Sequence, residues 1–238
     1  MNSPSSVVSS TGQAAAPAPG TPLLQVSHLA AHIQAMPALR DLTLQVDEGE
    51  MVSLVGRNGA GKTSFMRAVM GHLPASSGRL HFAGADMQAM TRHARAAAGI
   101  GYMPEDRGLV PQLTVEENIL LPVWVSKTLV KADRLGLAYK LLPEVEAMRD
   151  RRALLLSGGQ QKLVALARAL AVGTRLLLLD EPFEGVAPAL AQRLVEVISA
   201  LRGTQLSVLI SQSEMHHGNA LFSRTYTIER GANAVSSH

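Results

Sequence analysis

Eight consecutive residues, Gly56-Arg57-Asn58-Gly59-Ala60-Gly61-Lys62-Thr63, constrain this 238-residue chain more than any other feature. Glycines at this spacing let the backbone curl until several N–H groups point inward at one anion, with a lysine and a hydroxyl at the rim. The pattern requires a strand before it and a helix after it. Met51-Val52-Ser53-Leu54-Val55 reads as a buried strand, and Thr63-Ser64-Phe65-Met66-Arg67-Ala68-Val69-Met70 as a helix whose amino end faces the loop. Gly56, Asn58, Gly59, Ala60, Gly61 and Ser64 are therefore candidate phosphate-binding positions, with Lys62 reaching the β- and γ-phosphates of a nucleotide and Thr63 a ligand of Mg²⁺.

Two later segments supply what a phosphate loop lacks. The apolar run Leu176-Leu177-Leu178-Leu179 closes on Asp180-Glu181. A strand ending in a turn accounts for the backbone there, but not for two adjacent carboxylates. Asp180, at the end of an apolar strand, is placed to hold Mg²⁺ through water, and Glu181 to polarise an attacking water as general base. Between loop and carboxylates lies Leu156-Ser157-Gly158-Gly159-Gln160-Gln161, which on its own reads as a helix start with Ser157 as N-cap.

In this order the three segments resemble the ATP-binding cassette (ABC) ATPases. The resemblance implies an α/β fold of the P-loop NTPase, ABC ATPase type: a mixed central sheet with a flanking antiparallel β subdomain and a helical subdomain. It also implies that Ser157, Gly158, Gly159 and Gln160 cap the γ-phosphate held by a second ABC ATPase subunit. Two cassettes, a pair of copies or a copy and a paralogue, then pack head to tail with ATP at both joints.

A finer resemblance rests on residues 101–119. Most cassettes carry Gln after the proline, where this chain has Pro104-Glu105-Asp106-Arg107, and Leu113-Thr114-Val115-Glu116-Glu117-Asn118 follows. With Glu184-Gly185-Val186-Ala187-Pro188, this is similar to the LivF-like ATPases of branched-chain amino-acid importers, over nearly all of residues 23–231. The resemblance implies ATP hydrolysis coupled to import of branched-chain amino acids or related small polar solutes. It implies transmembrane permease subunits and, indirectly, a solute-binding protein as partners, and a peripheral position on the cytoplasmic face of the membrane. It sets Glu105 beside Mg²⁺ and the attacking water.

Beyond Glu105, two positions depart from the general cassette pattern. After the strand expected over 206–210, where cassettes place a His against the γ-phosphate, the chain reads Ser211-Gln212-Ser213-Glu214-Met215-His216-His217. The strand-end position falls on Gln212, which becomes the catalytic candidate, while His216 and His217 read as surface residues of a helix start. The aromatic residue that usually stacks on adenine corresponds to His32 or Ile33, and His32 is the candidate.

Composition sets the remaining bounds. With no cysteine, disulfides and thiolate chemistry are excluded. A net charge of +3 with 3% aromatic residues argues against a nucleic-acid partner. No uncharged apolar stretch is long enough to span a bilayer. Residues 1–22, rich in Ser, Ala, Pro and Gly, read as a disordered tail rather than a signal peptide, and 23–238 as one ABC ATPase domain with its helical subdomain at about 85–160. Strands are expected at 23–26, 42–46, 51–55, 79–82, 99–103, 176–179, 206–210 and 225–229. Helices are expected near 59–71, 115–122, 131–149, 158–171 and 187–202. A cassette working without a transport channel, or a low-turnover regulatory nucleotide-binding module, remain the other function classes.

Overall fold

The computed structural model describes residues 22–214 and 219–234, so the expected tail, Pro22 apart, and the pair His216 and His217 lie outside the described residues. The elements run β1 (Leu24–Ile33), β2 (Met36–Val46), β3 (Met51–Val55), α1 (Lys62–Val69), β4 (Ala75–Phe82), β5 (Ala85–Asp86), α2 (Arg92–Ala97) and β6 (Ile100–Met103). They continue with α3 (Val115–Trp124), α4 (Lys131–Leu141), α5 (Pro143–Glu146), α6 (Gly158–Val172), β7 (Leu176–Asp180), α7 (Pro188–Ser199), β8 (Ser207–Gln212), β9 (Arg224–Glu229) and β10 (Ala232–Asn233).

One sheet of ten strands orders them β5-β4-β1-β2-β10-β9-β3-β8-β7-β6. Pairing is parallel across β9-β3-β8-β7-β6 and antiparallel across β2-β1-β4-β5, which gives the mixed sheet with an antiparallel flank that was expected. Every residue of β7 and β8 is buried, as strands covered on both faces must be, which explains the apolar runs 176–179 and 208–210 within them. Alternate side chains enter two separate cores. Leu177, Leu179, Val208 and Ile210 pack towards α6 and α7. Leu176, Leu178, Leu209, Val52 and Leu54 pack with Phe65 and Met66 of α1 and with the antiparallel flank.

The helices that stand apart from the sheet are α3, α4 and α5, in the same apolar cluster as α6. The segment 85–103, counted within the expected 85–160 helical subdomain, is instead β5, α2 and a strand of the central sheet. Arg95 of α2 ties that segment to α1, its buried guanidinium donating to the carbonyls of Ala68 and Val69 at 2.7 and 2.8 Å and of Met87 at 2.6 Å. The single helix expected over 131–149 is two, because Pro143 has no N–H to donate and bars Leu142 from helical geometry (φ −132°, ψ 68°).

Candidate active site

Parallel strands align their carboxyl ends, and the register here is nearly flush: Val55 pairs with Gln212, Asp180 with Ser211, and Met103 with Leu179. The segments leaving β3, β6, β7 and β8 therefore emerge in one row, which is where such sheets hold ligands. A cavity of about 610 Å³ opens there, lined by Asn58, Gly59, Gly61, Lys62, Thr63 and Ser64 together with Glu105, Glu181 and Glu184.

The loop from β3 to α1 takes its shape from glycines. Gly61, at φ 112°, begins α1 with no side-chain cap, and a Cβ on it would lie 2.8 Å from the Ala38 carbonyl. A Cβ on Gly56 would meet the Ile228 carbonyl at 2.4 Å. Gly56 and Ala60 do not line the cavity. They act through backbone: the Gly56 carbonyl accepts from Lys62 Nζ, and the Ala60 carbonyl from the Gly231 N–H at 2.8 Å.

Lys62 Nζ reaches Glu181 Oε1 at 2.9 Å, a pair almost sealed from solvent. Glu181 holds a left-handed backbone, φ 47°, rare for a residue with a side chain and characteristic of functional sites. Its neighbours enforce it: the Glu181 N–H donates to Ser211 Oγ at 3.0 Å, and its carbonyl accepts from Lys162 Nζ at 3.0 Å. Asp180, fully buried, lies behind Thr63, whose Oγ1 is 3.3 Å from both Asp180 Oδ1 and Glu105 Oε2. Burial above all, and then Glu105 and Glu181, raise the Asp180 carboxyl above the usual carboxylate range, against hydrogen bonds from Ser211 and Thr63 that lower it. Burial likewise pushes the Tyr102 phenol up, beside Asp180.

Two expected site residues are elsewhere. Gln212 faces away from the cavity: its Nε2 donates to Ser53 Oγ at 2.8 Å, on the α6 side of the sheet. Strand alternation is the reason, since Leu209, Ser211 and Ser213 share one face while Ile210 and Gln212 share the other. The residue that reaches the site is Ser213. Its Oγ lies 2.7 Å from Glu181 Oε1, 2.7 Å from Asn58 Oδ1 and 3.5 Å from Lys62 Nζ, and its N–H donates to Glu181 Oε2 at 3.1 Å. His32 also misses the cavity, its Nδ1 paired with Ser76 Oγ at 3.2 Å, while Ile33 and Met36 line the wall. Neither Arg95 nor Lys162 was singled out from sequence.

Ser157, Gly158, Gly159 and Gln160 do not line the cavity either. Ser157 caps α6 reciprocally: its Oγ accepts from the Gln160 N–H at 3.3 Å, and Gln160 Oε1 from the Ser157 N–H at 3.0 Å. Gly158 above them is exposed.

Lys62 over its glycine loop after β3 and Asp180-Glu181 at the end of β7, with β8 between them, face one another as the phosphate and cation of a nucleoside triphosphate require, and that places the fold among the P-loop NTPases. The chain belongs to the ABC transporter family, whose model matches residues 39–184, and it is an ATPase of that family. It is 34% identical over 210 residues, 87% of each chain, to the lipopolysaccharide export system ATP-binding protein LptB of Escherichia coli K12. It is 30% identical over 209 residues, 88% of this chain and 90% of the relative, to the high-affinity branched-chain amino acid transport ATP-binding protein BraG of Pseudomonas aeruginosa. An ATP-binding subunit of an ABC transporter superposes with a TM-score of 0.80 at 25% identity, over 90% of this chain and 88% of the other. A cassette solved as a dimer with ADP and Pi shares the fold at a TM-score of 0.77 and 21% identity, over 89% and 97% of the two chains.

Proposed function

We propose that this chain is the energy-converting subunit of a membrane transporter, hydrolysing ATP between two cassettes packed head to tail. The observation that carries the reading is the convergence of Lys62, Thr63, Glu105, Asp180 and Glu181 on one row of strand ends, while the Ser157 end of α6 lies outside that cavity. An anion cradle that serves no phosphate of its own chain is suited to a partner's.

In this reading Lys62 and the loop N–H groups bind the β- and γ-phosphates. Three oxygen donors around Thr63 Oγ1, from Thr63, Asp180 and Glu105, fit a hard cation and would hold Mg²⁺, which supplies charge neutralisation at the phosphate oxygens. Glu181 orients and deprotonates water, and Ser213, in place of Gln212, steadies Glu181. Ser157 and Gly159 of the opposite cassette close on the γ-phosphate, so binding shuts the dimer and hydrolysis opens it. Residues 23–238 form the cassette, with α3 to α5 as its helical subdomain. No helix of the described residues is long and apolar enough to cross a membrane, which suits a peripheral subunit on the cytoplasmic side. Exposed Leu121, Trp124 and Val125 at the end of α3 offer apolar area to permease subunits.

For the solute, Glu105, Arg107 and the 184–188 loop support branched-chain amino acids or related small polar solutes, as does the name of the Pseudomonas relative. The higher identity of the E. coli relative favours a second reading, lipopolysaccharide export. Purified Glu181→Gln protein tests the core of the proposal: an ATP-dependent dimer in size-exclusion chromatography supports it, and a monomer at saturating ATP sinks it. Stimulation of wild-type hydrolysis by importer-type membrane subunits with a loaded solute-binding protein, against exporter-type subunits with lipopolysaccharide, decides the solute class.

A further inference from the structure

The loop that carries Glu105 is bound to α6 at two heights. In the body of the helix, Arg168 donates to the carbonyls of Arg107 and Gly108 at 2.5 and 2.6 Å. About two turns nearer the amino end, Gln161 Oε1 accepts from Arg107 Nη1 at 3.1 Å. Gln161 in turn donates to the carbonyls of Ala153 and Leu156, at 3.4 and 3.3 Å, on the approach to Ser157. The Arg107 guanidinium lies over Gly158: a Cβ there would sit 3.5 Å from its Nη2.

Keeping it there is costly. Arg107 adopts φ 68°, in the left-handed region that side chains avoid, and among the described residues its buried Nε has no partner. A third tie joins the same helix to the other carboxylate, since buried Lys162 donates to the carbonyls of Glu181 and Glu184 at 3.0 and 2.5 Å. The amino end of α6 is thus fastened to the loops of both Glu105 and Glu181.

We propose that Arg107 is a positioning residue that couples the Glu105 loop of one site to the anion-binding end of α6, which serves the opposite site of the dimer. The inference rests on the head-to-tail reading above. Glu105 answers to the nucleotide of its own chain through Thr63. The planar Arg107 fork carries that position to Gly158, and so sets where Ser157 and Gly159 meet the partner's γ-phosphate. Two sites joined in this way share a coupling free energy, and losing the link shows up as weaker closure rather than weaker binding to the single chain.

A double-mutant cycle in the Glu181→Gln background tests it, with ATP-driven dimerisation measured by sedimentation for the parent, Glu105→Gln, Arg107→Ala and the pair. Each single change is expected to weaken dimerisation about tenfold, within the usual range of site-to-site coupling, and the pair no further, because both cut one link. Arg107→Lys keeps a charge and loses the fork. It is expected to behave as Arg107→Ala and gives the same readout if the alanine variant does not fold. ATP affinity of the monomeric variants at Arg107 stays at the parent value. Losses that multiply to about a hundredfold overturn the inference, since Arg107 would then only prop the helix end. A dimer indifferent to Arg107 overturns it alone, and failure of the Glu181→Gln parent to dimerise in ATP removes the head-to-tail reading and this inference together.

Discussion

Lys62 Nζ and Glu181 Oε1 stand 2.9 Å apart in an ion pair whose members are only 5% and 6% exposed. The two groups assigned to the phosphate and to the attacking water thus occupy each other, so a phosphate arriving at Lys62 has to displace a carboxylate. Breaking one side of a buried pair is expensive unless the remaining charge finds a new partner. Here Lys62 gains the phosphate, and Glu181 still holds the Ser213 hydroxyl and N–H at 2.7 and 3.1 Å.

Glu181→Gln should therefore lower turnover by about 10²–10⁴, the usual contribution of a general base, while ATP and ADP bind more tightly because the competing carboxylate has gone. Steady-state hydrolysis and calorimetric titration check the two halves. Weaker nucleotide binding by the variant would show that Glu181 supports the phosphate site rather than competes for Lys62.

Ser213 and Gln212 make opposite predictions. Ser213→Ala removes a hydroxyl that orients Glu181, and should lower kcat about tenfold with KM little changed and melting temperature intact, while Ser213→Thr restores most of the rate. Gln212→Ala removes a buried side chain that, among the described residues, makes one hydrogen bond, to Ser53, and leaves its oxygen unsatisfied, so it should alter stability by about 1 kcal/mol and leave kcat alone. A loss of kcat on Gln212→Ala without any on Ser213→Ala would reverse the assignment.

This contrast also shows what could be read from the chain before its structure. The loop at 56–63, the apolar strand ending in Asp180-Glu181, and the Ser157 cap announce themselves because each depends on local chemistry and regular strand or helix geometry. Ser213 was within reach as well: counting by two from Leu209 along a regular strand puts Ser211 and Ser213 on the α1 face. The same count fails at His32, because pairing of β1 with β2 shifts register after Val26, after Leu29 and after Ala31, and each irregularity resets which face a residue takes. Arg95, Lys162 and Arg168 were illegible for another reason. They bond to carbonyls far along the chain, and no spacing rule connects a cationic side chain on one element with the backbone of another.

Ile33 and Met36, 47% and 73% exposed, line the cavity wall and set the expectation for the adenine ring. An adenine ring laid on them buries apolar area worth about 1 kcal/mol in all, so Ile33→Ala or Met36→Ala should each weaken ADP binding about twofold, and the double variant about fivefold. His32→Ala, removing a ring hydrogen-bonded to Ser76, should leave affinity unchanged. Titration with a fluorescent ADP analogue separates the two. A loss at His32 equal to that at Ile33 would return the histidine to the site.

Asp180 gives the pH dependence. Burial first, then the neighbouring carboxylates, hold its acid form above the usual carboxylate range in the folded chain, so the native state binds this proton more tightly than the unfolded state does. The sign follows: stability contributed by the site is greatest below the unfolded-state value, falls as pH rises through the window up to the raised native value, and stays low above it. Asp180→Asn keeps an acceptor for Ser211 and Thr63 without the buried charge. Relief of about 1 kcal/mol should raise the melting temperature of the nucleotide-free protein by about 2–4 °C near neutral pH, with little change in acid. The extra stabilisation that Mg²⁺ gives to ATP-bound protein should disappear in the same variant, because one of the oxygens that fit the cation has been neutralised. Scanning fluorimetry from acid to neutral pH, with and without ATP and Mg²⁺, reads both effects. A variant destabilised at neutral pH would mean that the Asp180 charge is compensated within the folded chain, by Lys62 or another cation, rather than waiting for a metal.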